Sequence, residues 1–114
     1  MKAMVYHDNR DVRLEDVPEP DPGPGEVKLR IDYCGICATD IEEYLYGPVF
    51  IFHDAPNPLT GKKTPMIIGH EVTGTVVEVG AGVDTVNLGD RTVINGTLTC
   101  GECRWCRLGE TAQC

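Results

Sequence analysis

The 114 residues carry 10 Lys and Arg against 18 Asp and Glu, a net charge of −8. That length bounds the chain to one small domain whose core is marginal, and its acidity argues against nucleic acid or an anionic membrane as the main partner. The 13 glycines and 8 prolines point to many turns and short strands rather than long helices. The longest apolar runs, such as Val49-Phe50-Ile51-Phe52, are far too short to span a bilayer. Met1 to Asp8 holds no apolar segment of the signal-peptide kind, so a cytoplasmic location is expected.

In chain order, Lys2 to His7 and Val12 to Val17 read as a pair of short strands with Asp8-Asn9 in the turn. Pro18 to Gly25 is an extended connector rich in Pro and Gly. In Glu26 to Tyr33, Val27, Leu29, Ile31 and Tyr33 alternate with charged residues, which predicts a strand with one face buried. Only Thr39 to Tyr46 has helical character, with Asp40, Glu42 and Glu43 placed near a helix N-terminus that favours negative charge. Tyr46 to Pro65 reads as a long irregular loop. Val72 to Val79, Val83 to Leu88 and Arg91 to Asn95 read as strands separated by turns at Gly80-Ala81-Gly82 and Gly89-Asp90. The expected fold class is mainly β, a small barrel or sandwich with little helix.

Six cysteines without a secretory signal favour metal binding over a disulfide scaffold. Cys100, Cys103, Cys106 and Cys114 form C-x2-C-x2-C-x7-C, which suits a closed tetrahedral zinc site. An iron–sulfur cluster is the rival, but a ferredoxin run spaces its fourth cysteine more closely and follows it with Pro. Cys34-Gly35-Ile36-Cys37 is either a thioredoxin-like redox pair or a source of one metal ligand. The scarcity of helix favours the ligand role. His70 and Glu71 follow an apolar approach, and together with one thiolate they would form an open zinc site of the catalytic type. His7 and His53 lack such companions and read as surface or packing residues.

Gly69-His70-Glu71-x-x-Gly74-x5-Gly80 resembles the zinc signature of the medium-chain alcohol dehydrogenases. Cys34 to Asp40 (CGICATD) is similar to that family's first zinc-ligand segment, and Gly89-Asp90-Arg91-Thr92-Val93 to its usual turn. The last four cysteines resemble its structural zinc lobe. The loop GPVFIF…NPLTGKKTP resembles the 2,3-butanediol dehydrogenase branch, with sorbitol and threonine dehydrogenases as relatives.

The resemblance implies a GroES-like, partly open β-barrel over residues 1–114, with a structural zinc lobe at 95–114. It implies a catalytic zinc at Cys37, His70 and Glu71, and a structural zinc at Cys100, Cys103, Cys106 and Cys114. Thr39 matches the hydroxyl that relays the substrate proton. Asp40 matches the partner that orients the zinc-bound His, while Cys34 matches a position that is not a ligand. Where several relatives carry a relay His, this chain has Glu42, to which no catalytic role is assigned. There is no G-x-G-x-x-G after a strand, so the nucleotide-binding domain is expected to be absent and the chain to be part of a longer enzyme. The implied activity is zinc-dependent oxidation of a secondary alcohol or diol to a ketone with NAD or NADP, in a homo-oligomer, dimer or tetramer. Two rivals from other classes stand beside it. One is an iron–sulfur electron carrier, and the other is a zinc-stabilised GroES-like interaction module without chemistry.

Overall fold

A computed structural model describes residues 1–114. Strands β1 (Lys2–Asp8) and β2 (Asp11–Asp16) form an antiparallel hairpin. Its tight turn is made by Asn9 and Arg10, one residue later than expected, with Arg10 at φ 59°. The connector then leads to β3 (Val27–Gly35), helix α1 (Ala38–Tyr46) and an irregular loop at 47–65. Next come β4 (Met66–Ile67), β5 (Glu71–Val79), β6 (Arg91–Val93) and the short helix α2 (Arg104–Arg107).

Two three-stranded antiparallel sheets result, ordered β2-β1-β4 and β3-β5-β6. Neither closes on itself, so the chain is mainly β and a partly open barrel. Alternation places Ala3 and Val5 of β1, and Val72, Gly74 and Val76 of β5, on inner faces. Tyr6 joins them, only 1% exposed. At about 1.5–3 kcal/mol for each large apolar side chain fully buried, this is a small core for the chain length. None of the helices is long and apolar enough to cross a membrane.

Three expectations are corrected. Val83 to Leu88 is not a strand. Turns at Gly80–Gly82 and Leu88–Gly89 fold both of its ends back, with Val83 N bonded to Gly80 O and Gly89 N to Val76 O. No strand lies beside it to accept a ladder. The apolar face of β3 is not buried throughout: Ile31 is 52% and Tyr33 74% exposed. The register shifts between them, where Asp32 is the extra residue against β5. Such a bulge rotates the strand, and Asp32 becomes half-buried, accepting a hydrogen bond from Thr75 Oγ1 at 3.1 Å. The third correction concerns elements that were not expected, β4 and α2. Two residues of β4 suffice to pair Ile67 with Val5 and Met66 with Tyr6.

The connector is tied to the second sheet by Lys28, whose Nζ lies 2.8 Å from Glu19 and 2.6 Å from Glu78. Hydrogen bonding to these carboxylates, Glu19 first, holds the Lys28 ammonium well above the usual lysine range. Backbone crosses backbone at Gly80, where a Cβ would stand 2.0 Å from Gly23 O and 2.7 Å from Glu26 O. No rotamer change relieves a clash with main chain. Gly80→Ala is therefore expected to destabilise the domain by about 1–3 kcal/mol or more, read as a lower urea midpoint. An unchanged midpoint would show that this crossing is loose.

Candidate metal centres

The first centre is assembled by long-range pairing. Antiparallel register sets Gly35 of β3 opposite Glu71 of β5, and Cys34 opposite Val72. Cys37 then caps the N-terminus of α1. One ligand atom each from Cys37, His70 and Glu71 lies within 4.8 Å of the others. Asp40 serves two neighbours with its two oxygens. Oδ2 accepts a hydrogen bond from the Cys37 backbone N–H at 2.9 Å, closing the first turn of α1. Oδ1 stands 3.5 Å from His70 Nδ1. Nε2 of the same ring is 3.3 Å from Thr39 Oγ1. With Nδ1 facing a carboxylate, the ring presents Nε2 toward Thr39, the arrangement that fixes a metal-ligating histidine.

Two glycines make room for this centre. Gly69 has φ 109°, and a Cβ there would stand 2.7 Å from Cys34 Sγ. The chain can thus turn into His70 only with glycine at that position. A Cβ on Gly35 would stand 2.6 Å from a Glu71 carboxylate oxygen. Cys34 itself lies outside the ligand cluster, its Sγ directed to Gly35 O at 3.6 Å. His7 and His53 also lie outside it. His7 pairs with Glu15 at 2.6 Å, and His53 lies near Asp8 and Asp54. Glu42 is exposed on α1.

The second centre is local. The Sγ atoms of Cys100, Cys103, Cys106 and Cys114 form one cluster. Their separations are 3.9 Å for Cys100–Cys106, 3.6 Å for Cys103–Cys106 and 3.7 Å for Cys100–Cys114. Sulfurs held tetrahedrally at about 2.3 Å from zinc are about 3.8 Å apart, so the set fits that ion. All six cysteines of the chain are free thiols here. Backbone amides point at the sulfurs, with Cys103 N and Cys100 N each 3.3 Å from one. Hydrogen bonds from the Glu102 and Cys103 backbone lower the Cys100 thiol to about 6, helped by the Cys114 thiol. Desolvation pushes Cys106 up to about 12. Ionising all four thiols together would cost mutual repulsion, which a divalent cation relieves.

Reading the sequence missed Glu43. It was expected among acidic residues at a helix start, where only Asp40 belongs; Glu43 is buried in the body of α1. The available signal was its place four residues after Thr39, on the same helix face. The part of Phe50 and Ile51 in a cavity beside Thr39 and His70 was also missed.

The model of the alcohol dehydrogenase GroES-like domain matches residues 23–114. The chain belongs to this family. A similar curated relative is (R,R)-butanediol dehydrogenase of Bacillus subtilis strain 168, 49% identical over 94 residues, covering 82% of this chain and 27% of the relative. The crystal structure of 2R,3R-butanediol dehydrogenase from Bacillus subtilis superposes with a TM-score of 0.80 at 48% identity, over 82% of this chain and 27% of that one. A cobalt- and zinc-bound thermostable alcohol dehydrogenase from Pyrobaculum aerophilum matches all of the chain and 32% of its own, with a TM-score of 0.79 at 32% identity. The chain thus spans about a quarter to a third of the length of these relatives. The open barrel described above is a GroES-like domain, and the expected membership of the alcohol dehydrogenases holds.

Proposed function

We propose that this GroES-like domain is the catalytic-domain portion of a zinc-dependent dehydrogenase that oxidises a secondary alcohol or diol to a ketone, with 2,3-butanediol the favoured substrate. The carrying observation is the meeting of Cys37, His70 and Glu71 beside the Thr39 hydroxyl. One thiolate, one imidazole and one carboxylate form a donor set suited to zinc with a position left open. These three residues would hold the catalytic ion, and Cys100, Cys103, Cys106 and Cys114 the structural one. Bound zinc supplies a Lewis acid for the alcohol oxygen.

The chain's own residues supply position and a proton path. Thr39 Oγ1 would accept the proton of the alcohol hydroxyl while giving its own to solvent water, which reaches this half-buried side chain. Asp40 holds the His70 ring in orientation through Nδ1. Gly69 clears Cys34 Sγ where the chain turns into His70, and Gly35 leaves room for the Glu71 carboxylate. The redox partner is NAD or NADP. These residues contain no glycine fingerprint to bind it. The same reading takes residues 95–114 as the structural zinc lobe. It also places the complete enzyme in the cytoplasm, as a dimer or tetramer.

The test is nicotinamide absorbance with 2,3-butanediol and NAD+ or NADP+. The zinc-loaded 114-residue polypeptide is expected to give no turnover, because holding both reactants in place supplies roughly 7–11 kcal/mol of the barrier. A longer polypeptide that adds a nucleotide-binding domain is expected to be active. Turnover by the short chain overturns the assignment of the cofactor site. Inactivity of the long one toward every secondary alcohol overturns the dehydrogenase reading.

A further inference from the structure

The side chain of Glu43 is the one buried acidic group of the molecule, with 4% of the residue exposed. Its partners are backbone amides instead of a cation. Val49 N donates to Oε1 at 3.0 Å, while Phe50 N and Ile51 N donate to Oε2 at 2.7 and 3.2 Å. Three successive N–H groups converging on one carboxylate form an anion nest, filled here by the protein's own side chain. Such burial persists only because every oxygen is supplied with donors. The surroundings leave little slack. Tyr6 donates its hydroxyl to Glu43 O at 3.3 Å, and a Cβ on Gly47 would stand 2.2 Å from Glu43 O and 2.6 Å from Oε1.

Two of the three amides it gathers, those of Phe50 and Ile51, belong to residues that line the proposed site. A cavity of about 340 Å³ is lined by Thr39 and His70 together with Phe50, Ile51, Met66 and Ile68. Thr39 and Glu43 stand one helical turn apart on α1. The same helix therefore carries the proton-handling hydroxyl and the clamp on the loop that follows it. We infer that Glu43 is a positioning residue: its carboxylate clamps the backbone from Val49 to Ile51, so that Phe50 and Ile51 form the apolar wall that limits the alkyl chain of the alcohol. This inference rests on the dehydrogenase reading of the Thr39–His70 site. Glu43 itself borders the same cavity, and it sets substrate size through the loop backbone it holds in place.

The test uses the full-length zinc-loaded protein and the variants Glu43→Gln, Glu43→Asp and Phe50→Ala. Glutamine keeps the shape but turns amide donors toward backbone donors. Hydrogen exchange at Val49, Phe50 and Ile51 is expected to speed up on the order of tenfold in Glu43→Gln, with zinc content unchanged. The ratio of kcat/KM for 2-octanol to that for 2-butanol is expected to rise on the order of tenfold in both Glu43→Gln and Phe50→Ala. The double variant should shift the ratio no further than Phe50→Ala alone. Unchanged exchange overturns the clamp. An equal loss for both alcohols overturns the size role and leaves a loop staple. If Glu43→Gln does not fold, Glu43→Asp is judged by the same ratio. A wild type that exchanges as expected but oxidises neither alcohol marks failure of the dehydrogenase reading, and the size role falls with it. An active wild type with unaltered exchange in the variant marks failure of the clamp alone.

Discussion

Cys103→Ser is expected to release one equivalent of zinc and unfold residues 95–114 while the two sheets persist. The reason is the composition of that lobe. From Asn95 to Cys114 every residue is exposed except Cys100, Cys103 and Cys106, which are half-buried. No apolar side chain serves as its core, and its internal backbone bonds are those of turns, α2 and a single 3-10 turn. The sulfur cluster takes the place of a core. Structural zinc contributes apparent binding free energies of about 10–16 kcal/mol in small zinc domains, all of it available to folding. Removing one thiolate opens the tetrahedron and exposes the amides that point at the sulfurs. The readout is built in, because the single tryptophan, Trp105, lies between Cys103 and Cys106. Its indole carries the Arg104 guanidinium 5.3 Å from the ring centroid. Emission from Trp105 should shift to the red in the variant, and in wild type treated with a strong chelator. Far-ultraviolet signal from the strands should remain. Full retention of zinc by Cys103→Ser, or stoichiometric iron and sulfide in wild type, would refute the zinc lobe.

The second large effect separates two cysteines three positions apart. In the full-length enzyme, Cys37→Ser is expected to lower kcat/KM by at least about three orders of magnitude, since a Lewis acid is worth several kcal/mol and each 1.36 kcal/mol is tenfold. The zinc equivalent proposed for Cys37, His70 and Glu71 should be lost with it. The fold should survive, because Cys37 caps α1 through its backbone and the Asp40 carboxylate, neither of which the substitution removes. Cys34→Ser should be mild. Its sulfur is outside the ligand cluster, and a hydroxyl meets no crowding beside Gly69, which has no Cβ. Activity and zinc content measured on both variants decide the matter. Equal loss from both, with reversible cycling by a dithiol reductant, would instead support a redox pair.

Much of this was legible in the sequence, and the reason lies in the range of the interactions. The four-cysteine cluster spans residues 100–114, so its spacing already limits where the sulfurs can go. The hairpin β1–β2 and helix α1, expected from Thr39 and found from Ala38, were readable for the same reason: turn residues, acidic residues near a helix start and apolar alternation all act within a few positions. The GroES-like family was readable from motifs whose chemistry is local, such as Gly69-His70-Glu71.

What no local pattern carried was decided by pairing across the chain. Cys37 meets His70 and Glu71 because β3 and β5 pair with Gly35 opposite Glu71, a register reached through two irregularities in the ladder. One of them turns Asp32 inward and leaves Tyr33 outside, against the alternation written in the sequence. Val83 to Leu88 has the residue types of a strand but no neighbour to pair with, whereas Met66–Ile67 has one and becomes a strand in two residues. Glu43 reads as one more surface acid until the loop at 49–51 folds over it and supplies three amide donors. Donor chemistry and turn preference are properties of the residues themselves. Burial, register and the partners of a carboxylate are properties of what the rest of the chain brings alongside.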